Sequence, residues 1–336
     1  MHAPILPERR HRLLVPGLVL LLLIAAVLSV AVGPVVLSPA RLIAAFAGGA
    51  DPVAHAIVID LRLPRMLTGV LVGAILGLSG AVLQGYLRNP LAEPSVLGAS
   101  NAAALGAVIA IYFGLFTLHP AVLPLLAIVT GFASLSVLFV LAGRSESPLT
   151  LILAGIAVST LAGAGISLAL NLSSNPFAAM EIMTWLLGSI ENRTIEHVWI
   201  ALPCVAIGAV MLARTGHALD ALSLGEDGAT SLGIDLGRVR LRILVGVAIG
   251  VGGAVAVSGA IGFVGLIVPH LIRPFTDRSP SATLLPSTIG GAVLLTLSDV
   301  AVRLIPTSNE LKLGVVTAFL GVPVFLVHLM RERRLW

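Results

Sequence analysis

The chain has 336 residues, 57% of them hydrophobic and 11% charged, whereas a water-soluble fold carries about 25% charged side chains. Too little polar surface remains to cover a soluble globule, so lipid is the solvent of most of this protein. The formal net charge is +4, and every basic residue except Lys312 is arginine. These arginines sit singly or in short groups between apolar runs, the pattern of membrane topology rather than a nucleic-acid-binding patch.

Arg9, Arg10 and Arg12 precede the first apolar run, Leu13 to Val36. It is too long for a signal-peptide core and no small-residue cleavage site follows, so it reads as a retained first span. A helical crossing needs about 20 apolar residues. Further runs of that order lie at 65–86, 95–118, 120–142, 149–170, 197–213, 284–304 and 311–330. Phe177–Ile190 reads as an amphipathic piece at the outer interface, with Trp185 as its anchor. The run from Ile243 to Ile272 is over-long and broken by Gly250, Gly252, Gly253, Gly259, Gly262, Gly265 and Pro269. It predicts two elements, the second short. Both termini are basic, ending in Arg331, Arg333 and Arg334, so both are expected in the cytoplasm and the number of crossings is even. The expectation is an all-α polytopic membrane protein of about ten transmembrane helices in one domain, 1–336.

That topology places Arg88, Arg144, Arg214, Arg238, Arg240, Arg242, Arg273 and Arg278 inside, and only Arg41, Arg62, Arg65, Arg193, Arg303 and Lys312 outside. Small residues let helices approach closely in lipid. Gly69, Gly73, Gly77 and Gly80 share one face of the second span, and Gly155 and Gly163 mark the fifth, so tight seams are expected there. Cys204, the single cysteine, reads as a packing residue; no cofactor or metal site is expected, and His270 has no second ligand nearby in sequence.

Ion-coupled transport needs ionisable groups near the bilayer midplane. The sequence offers none beside the glycine-rich break. Asp60, Arg62 and Arg65 edge the second span, and Asp299 and Arg303 can pair at i and i+4. The longest polar insertion runs from Thr215 to Arg242, with Leu222, Leu224, Leu232, Ile234 and Leu236 interleaved with Glu226, Asp227 and Asp235. It predicts a short helix, a break at Gly233 and a second short helix, presenting an apolar ridge for docking on the cytoplasmic face.

The strings R-L-P-R (62–65), N-P-L-A-E-P-S-V-L-G (89–98), L-S-L-G-E-D (222–227), G-A-I-G-F-V-G-L-I-V-P-H-L-I-R (259–273) and L-G-V-V-T-A-F-L-G-V-P-V-F (313–325) follow one another along the chain. Together they resemble the permeases of binding-protein-dependent ABC importers for iron complexes and cobalamin. The resemblance implies a type II ABC importer permease fold, a homodimer with the pathway on its two-fold axis, two cytoplasmic ATPase subunits and a periplasmic binding protein. It implies an ATPase-coupling element within 218–240, comprising Leu222, Ser223, Leu224, Gly225, Glu226, Asp227, Leu232 and Gly233. Arg62, Arg65 and Arg303 match outward arginines that meet glutamates of the binding protein. A competing reading pairs Arg62 with Asp60 and Arg303 with Asp299. Asn89 and Leu91 match a cytoplasmic gate, whose other half, near Pro148–Thr150, lacks the polar pair seen in one relative.

No G-x-x-x-x-G-K-[ST] motif occurs, so ATP hydrolysis falls to partner subunits. An ion-coupled secondary transporter and an intramembrane enzyme are the competing classes. The first lacks an intramembrane ion site, and the second lacks a buried catalytic constellation. The expected cargo is an iron complex, a ferric siderophore or haem, with cobalamin the alternative.

Overall fold

The computed structural model describes residues 8–47, 51–119, 121–142, 148–277, 279–305 and 310–332. Arg144, Arg278, Arg333 and Arg334 lie outside the described residues. All regular structure among the described residues is helical. The elements are α1 (Glu8–Ala31), α2 (Pro39–Phe46), α3 (Pro52–His55), α4 (Leu63–Tyr86), α5 (Ala99–Tyr112), α6 (Val122–Ala142), α7 (Pro148–Leu172) and α8 (Pro176–Leu186). They continue with α9 (Ile195–Ala213), α10 (Gly216–Leu222), α11 (Glu226–Ser231), α12 (Leu236–Ser258), α13 (Val264–Ile272), α14 (Pro280–Leu304) and α15 (Leu313–Glu332).

Among the described residues, six helices are long and apolar enough to cross a membrane, and four shorter apolar helices accompany them. The second span starts earlier than expected: α3 runs through a π-helical stretch, Ala56–Arg62, into α4, giving one apolar rod from Pro52 to Tyr86. The expected third span is a shorter helix, preceded by a 3-10 turn at Pro94–Leu97 and a left-handed Gly98, φ 79°. The 243–272 run does divide. α12 ends at Ser258, and α13 starts only after Gly259, φ 69°, and Phe263, φ 68°.

α4 and α12 are mostly buried, while α1 and α7 turn most of their surface outward. Glycines set the central contacts. A methyl group at Gly73 would collide with the Gly291 carbonyl of α14, one at Gly80 with the Gly265 carbonyl of α13, and one at Gly208 with the Gly250 backbone of α12. The predicted seam on α4 is therefore real, divided between α14 and α13. Gly163 is different: a methyl there meets nothing within 4 Å, because it sits on the outward side of α7.

Pro269 cannot donate the backbone bond that would satisfy the Gly265 carbonyl inside α13. Gln84 of α4 replaces it, its Nε2 donating to the carbonyls of Gly265 at 3.3 Å and Leu266 at 3.2 Å. Arg273 Nη2 donates in turn to Gln84 Oε1 at 3.2 Å. A buried amide thus offsets a helix break 181 residues away in sequence.

Candidate functional site

At one end of the bundle, α1 stops at Ala31 and leaves carbonyls without helical partners. Two arginines from other helices supply donors. Arg62 Nη1 donates to Val30 O and Ala31 O, each at 2.8 Å, and Nη2 donates to Val35 O. Arg303 Nη1 donates to Ser29 O and Val32 O, each at 2.8 Å, and Nη2 to Ser29 Oγ at 2.8 Å. Positive charge at a helix C-terminus also complements its dipole. Arg62 is 5% exposed, and the Arg303 side chain is 3% exposed.

Asp299 joins the cluster. It bridges Arg303 at 2.8 Å and Arg65 at 2.7 Å, and Arg65 also pairs with Glu310. The sequence suggested Arg303–Asp299, which forms; Arg62–Asp60 does not form, and Asp60 is exposed. The three arginines expected to face a partner do converge, around a cleft of about 280 Å³ also lined by Gly33, Asn192 and Glu310. Arg62 and Arg303 are committed to α1, and Arg65 is held by two carboxylates.

At the opposite end of α4, the chain leaves the helix through Arg88, in the left-handed region at φ 48°. Asn89 Oδ1 accepts the Leu91 N–H at 2.9 Å, so the N-P-L sequence closes its own turn. Asn89 and Leu91 are both half-buried. Two residues on, Glu93 Oε2 accepts the Phe263 N–H at 3.2 Å, and Oε1 accepts the Ser95 hydroxyl. This corrects the expectation that no ionisable group stands beside the 243–272 break. Glu93 is 170 residues from Phe263 and only the fold brings them together. Its carboxylate caps the start of α13, where a negative charge suits the exposed N–H groups.

The insertion between α9 and α12 differs from expectation in its breaks. α10 and α11 are separated at Gly225, φ 97°, and α11 ends at Gly233, φ 81°; the chain then enters the long α12 rather than a second short helix. Asp235 supplies the α12 cap, accepting the Arg238 N–H at 3.0 Å. The ridge is narrower too. Leu222 is 3% exposed and belongs to the core, and Ile234 and Leu236 lean on that core. Leu224 and Leu232 remain, 71% and 63% exposed, flanking α11. Ser223 and Asp227 are also exposed. Glu226 reaches Arg88 at 3.5 Å, tying α11 to the residue before the Asn89 turn. Trp185 of α8 is half-buried, packing on one side against the core, while Phe177, Met180 and Met183 project outward.

The family model described as the FecCD transport family matches residues 21–331. The chain is 38% identical over 327 residues to the vitamin B12 import system permease protein BtuC of Vibrio vulnificus, covering 97% of this chain and 96% of that one. It is 36% identical over 292 residues to the uncharacterized ABC transporter permease protein YvrB of Bacillus subtilis, covering 85% and 82% of the two chains. A solved ABC transporter assigned to the metal-chelate type, in an inward-facing conformation, superposes with a TM-score of 0.83 at 32% identity, covering 95% of this chain and 99% of that one. The all-helical, many-spanning fold and these likenesses agree: the chain belongs to the FecCD transport family, membrane permeases of ABC importers.

Proposed function

We propose that this chain is one of two identical membrane subunits of an ATP-driven importer in the inner membrane. Both termini lie in the cytoplasm, and residues 1–336 work as a single permease domain. Two ABC ATPase subunits hydrolyse ATP, and a periplasmic binding protein delivers the cargo. The observation that carries this reading is the exposed pair Leu224 and Leu232 on either side of α11, with Glu226 of the same helix bridged to Arg88. Two bare leucines on a polar cytoplasmic element suit a partner's hydrophobic cleft. Leu222 and Ser223 root the element, Gly225 and Gly233 delimit it, and Glu226 and Asp227 flank its apolar contact. Asn89 and Leu91 form the gate that this element moves.

The binding protein docks on the outer face above Arg62, Arg65 and Arg303. With Arg62 and Arg303 turned into α1, these arginines shape the potential of that face from beneath, and Arg65, 13% exposed, is the nearest to its surface. As cargo we propose a corrinoid such as cobalamin ahead of an iron complex, supported by relatives named for vitamin B12 import along nearly the whole chain. The metal-chelate assignment of the solved neighbour supports a ferric siderophore or haem as the second reading.

The test is uptake in proteoliposomes holding the chain with a co-expressed ATPase and binding protein. ATP-dependent entry of cobalamin, exceeding that of ferric siderophore or haem, is expected. Uptake that follows an imposed ion gradient without the ATPase would overturn the importer reading. ATP-dependent entry of only the iron complex would overturn the cargo.

A further inference from the structure

The six basic residues assigned to the outer face have been placed by the structure, and five of them are engaged. Arg41 bridges Asp51 at 2.6 Å, Arg62 holds α1 carbonyls, Arg65 and Arg303 share Asp299, and Lys312 bridges Glu191 at 2.7 Å. Arg193 is the exception among the described residues. Its Nε is buried with no hydrogen-bond partner, and no carboxylate lies within bonding distance. Burial pushes its pKa below the ordinary arginine value, and only Glu191, already held by Lys312, pulls the other way. The guanidinium still carries its charge at neutral pH. α9 begins two residues later, at Ile195, and its N-terminal dipole adds positive potential. Glu196, in the first turn, is exposed and acts on His197 instead.

A half-buried guanidinium whose Nε has no hydrogen-bond partner keeps a donor free for a ligand. Arg193 lies on the wall of a cleft of about 490 Å³ between the outer ends of several helices. Phe116, Leu123 and Trp185 form its apolar side, and Glu181, Glu191 and Lys312 complete the charged rim. We infer that this cleft binds an organic monocarboxylate, its two oxygens on Arg193 and its apolar body against Trp185 and Phe116. The fork of arginine matches a carboxylate in geometry as well as charge. A neutral apolar ligand would leave Arg193 unpaired. A small inorganic anion would leave the apolar wall unused, and a polyanion would meet Glu181 and Glu191. The inference goes beyond the importer reading and stands or falls without it, because the site lies within one chain and binding is measured without transport.

Trp185 lines the cleft and reports on it directly. The full chain is purified with Trp199→Phe and Trp336→Phe, leaving Trp185 as its single tryptophan, and titrated with cyclohexanecarboxylate. A saturable change in Trp185 emission is expected. Arg193→Gln should weaken it about tenfold or more, since a hydrogen-bonded charge pair is lost. Arg193→Lys should recover part of the affinity. Cyclohexylmethanol and sulfate should each bind at least about tenfold more weakly than the carboxylate. The thermal midpoint of Arg193→Gln should match or exceed that of the unsubstituted chain, because a half-buried charge with no carboxylate in bonding distance is removed. Equal response to cyclohexylmethanol, equal response to sulfate, no saturable response at all, or Arg193→Gln binding as before would each overturn the site. A fall in thermal midpoint with binding intact would make Arg193 a packing residue and overturn it as well.

Discussion

Arg303→Met separates two jobs that one side chain could hold on the outer face. Methionine keeps the length and apolar stem of arginine but removes donors to Ser29 O, Val32 O and Ser29 Oγ, together with the bridge to Asp299. Breaking a buried ion pair by deleting one partner costs about 3–5 kcal/mol, because the survivor is left uncompensated. Here Arg65 still holds Asp299 at 2.7 Å, so the lower end, about 3 kcal/mol, is expected. For a chain of this length that corresponds to a fall of roughly 4 °C in thermal midpoint. α1 packs chiefly along α14, with most of its surface facing outward. Protease cleavage after α1 should therefore rise as well. The assay is thermal melting of the detergent-purified chain, run beside capture by a binding protein. A midpoint within about 1 °C of the unsubstituted chain, with capture lost, would refute the anchoring argument and return Arg303 to direct docking. Arg62→Met should behave similarly, and the double variant should fall short of the sum because both arginines grip one helix end.

Gln84→Leu should destabilise the chain by about 1–3 kcal/mol, by stranding the Gly265 carbonyl that Pro269 leaves without a donor. Adding Pro269→Ala, which restores a backbone donor, should recover part of that loss in the same melting assay; no recovery would disprove the link between Pro269 and Gln84. Gly73→Leu should abolish a monodisperse folded chain in size-exclusion chromatography, since even a methyl group collides with α14, whereas Gly163→Leu should leave the isolated chain folded. Glu226→Arg with Arg88→Glu should restore ATP-driven uptake that either single reversal lowers. The exposed pair itself contributes only about 0.2–1 kcal/mol, so a loss of ATPase association in the single variants would contradict a role in transmission alone.

The sequence made the spans legible because a membrane imposes one strong rule, that apolar runs must be long and helical. The α4 seam was legible for a similar reason: glycines spaced by three or four residues leave room only for a neighbouring backbone. The partners of the polar groups were not legible. Arg62 as a cap for α1, Glu93 at the start of α13 and Gln84 on Gly265 join residues 32, 170 and 181 positions apart. No local pattern encodes such pairs. The insertion after α9 was misread at its breaks because Gly225 and Gly233 look equivalent in sequence, and α12 extends past its apolar run to Leu236 through charged residues. Arg193 stood out in sequence only as one of six outer cations; its unbonded Nε appears only once the other five have found their partners.

Between Gln84 and Glu93 the chain makes four attachments, and their order bears on how a cytoplasmic push reaches the membrane. Gln84 holds the Gly265 and Leu266 carbonyls of α13 and receives Arg273 from just beyond that helix. Arg88 takes Glu226 of α11. Asn89 closes the turn onto Leu91, and Glu93 caps the start of α13. A short segment is thus fixed to both ends of α13, while its middle is tied to the most exposed cytoplasmic helix. α13 is itself cut off from α12 by left-handed Gly259 and Phe263, so it can shift without bending a long helix. A displacement of α11 would act first at Arg88, the link with the most solvent around it. The turn and α13 would then move together, because the bonds at Gln84 and Glu93 are less exposed than the Arg88 bridge and stronger for it. Breaking Glu93 alone, as Glu93→Gln, keeps the shape while weakening one end of that frame. ATP hydrolysis should continue in that variant while cargo uptake falls, and an unchanged ratio of uptake to hydrolysis would show that α13 and the turn do not move as one.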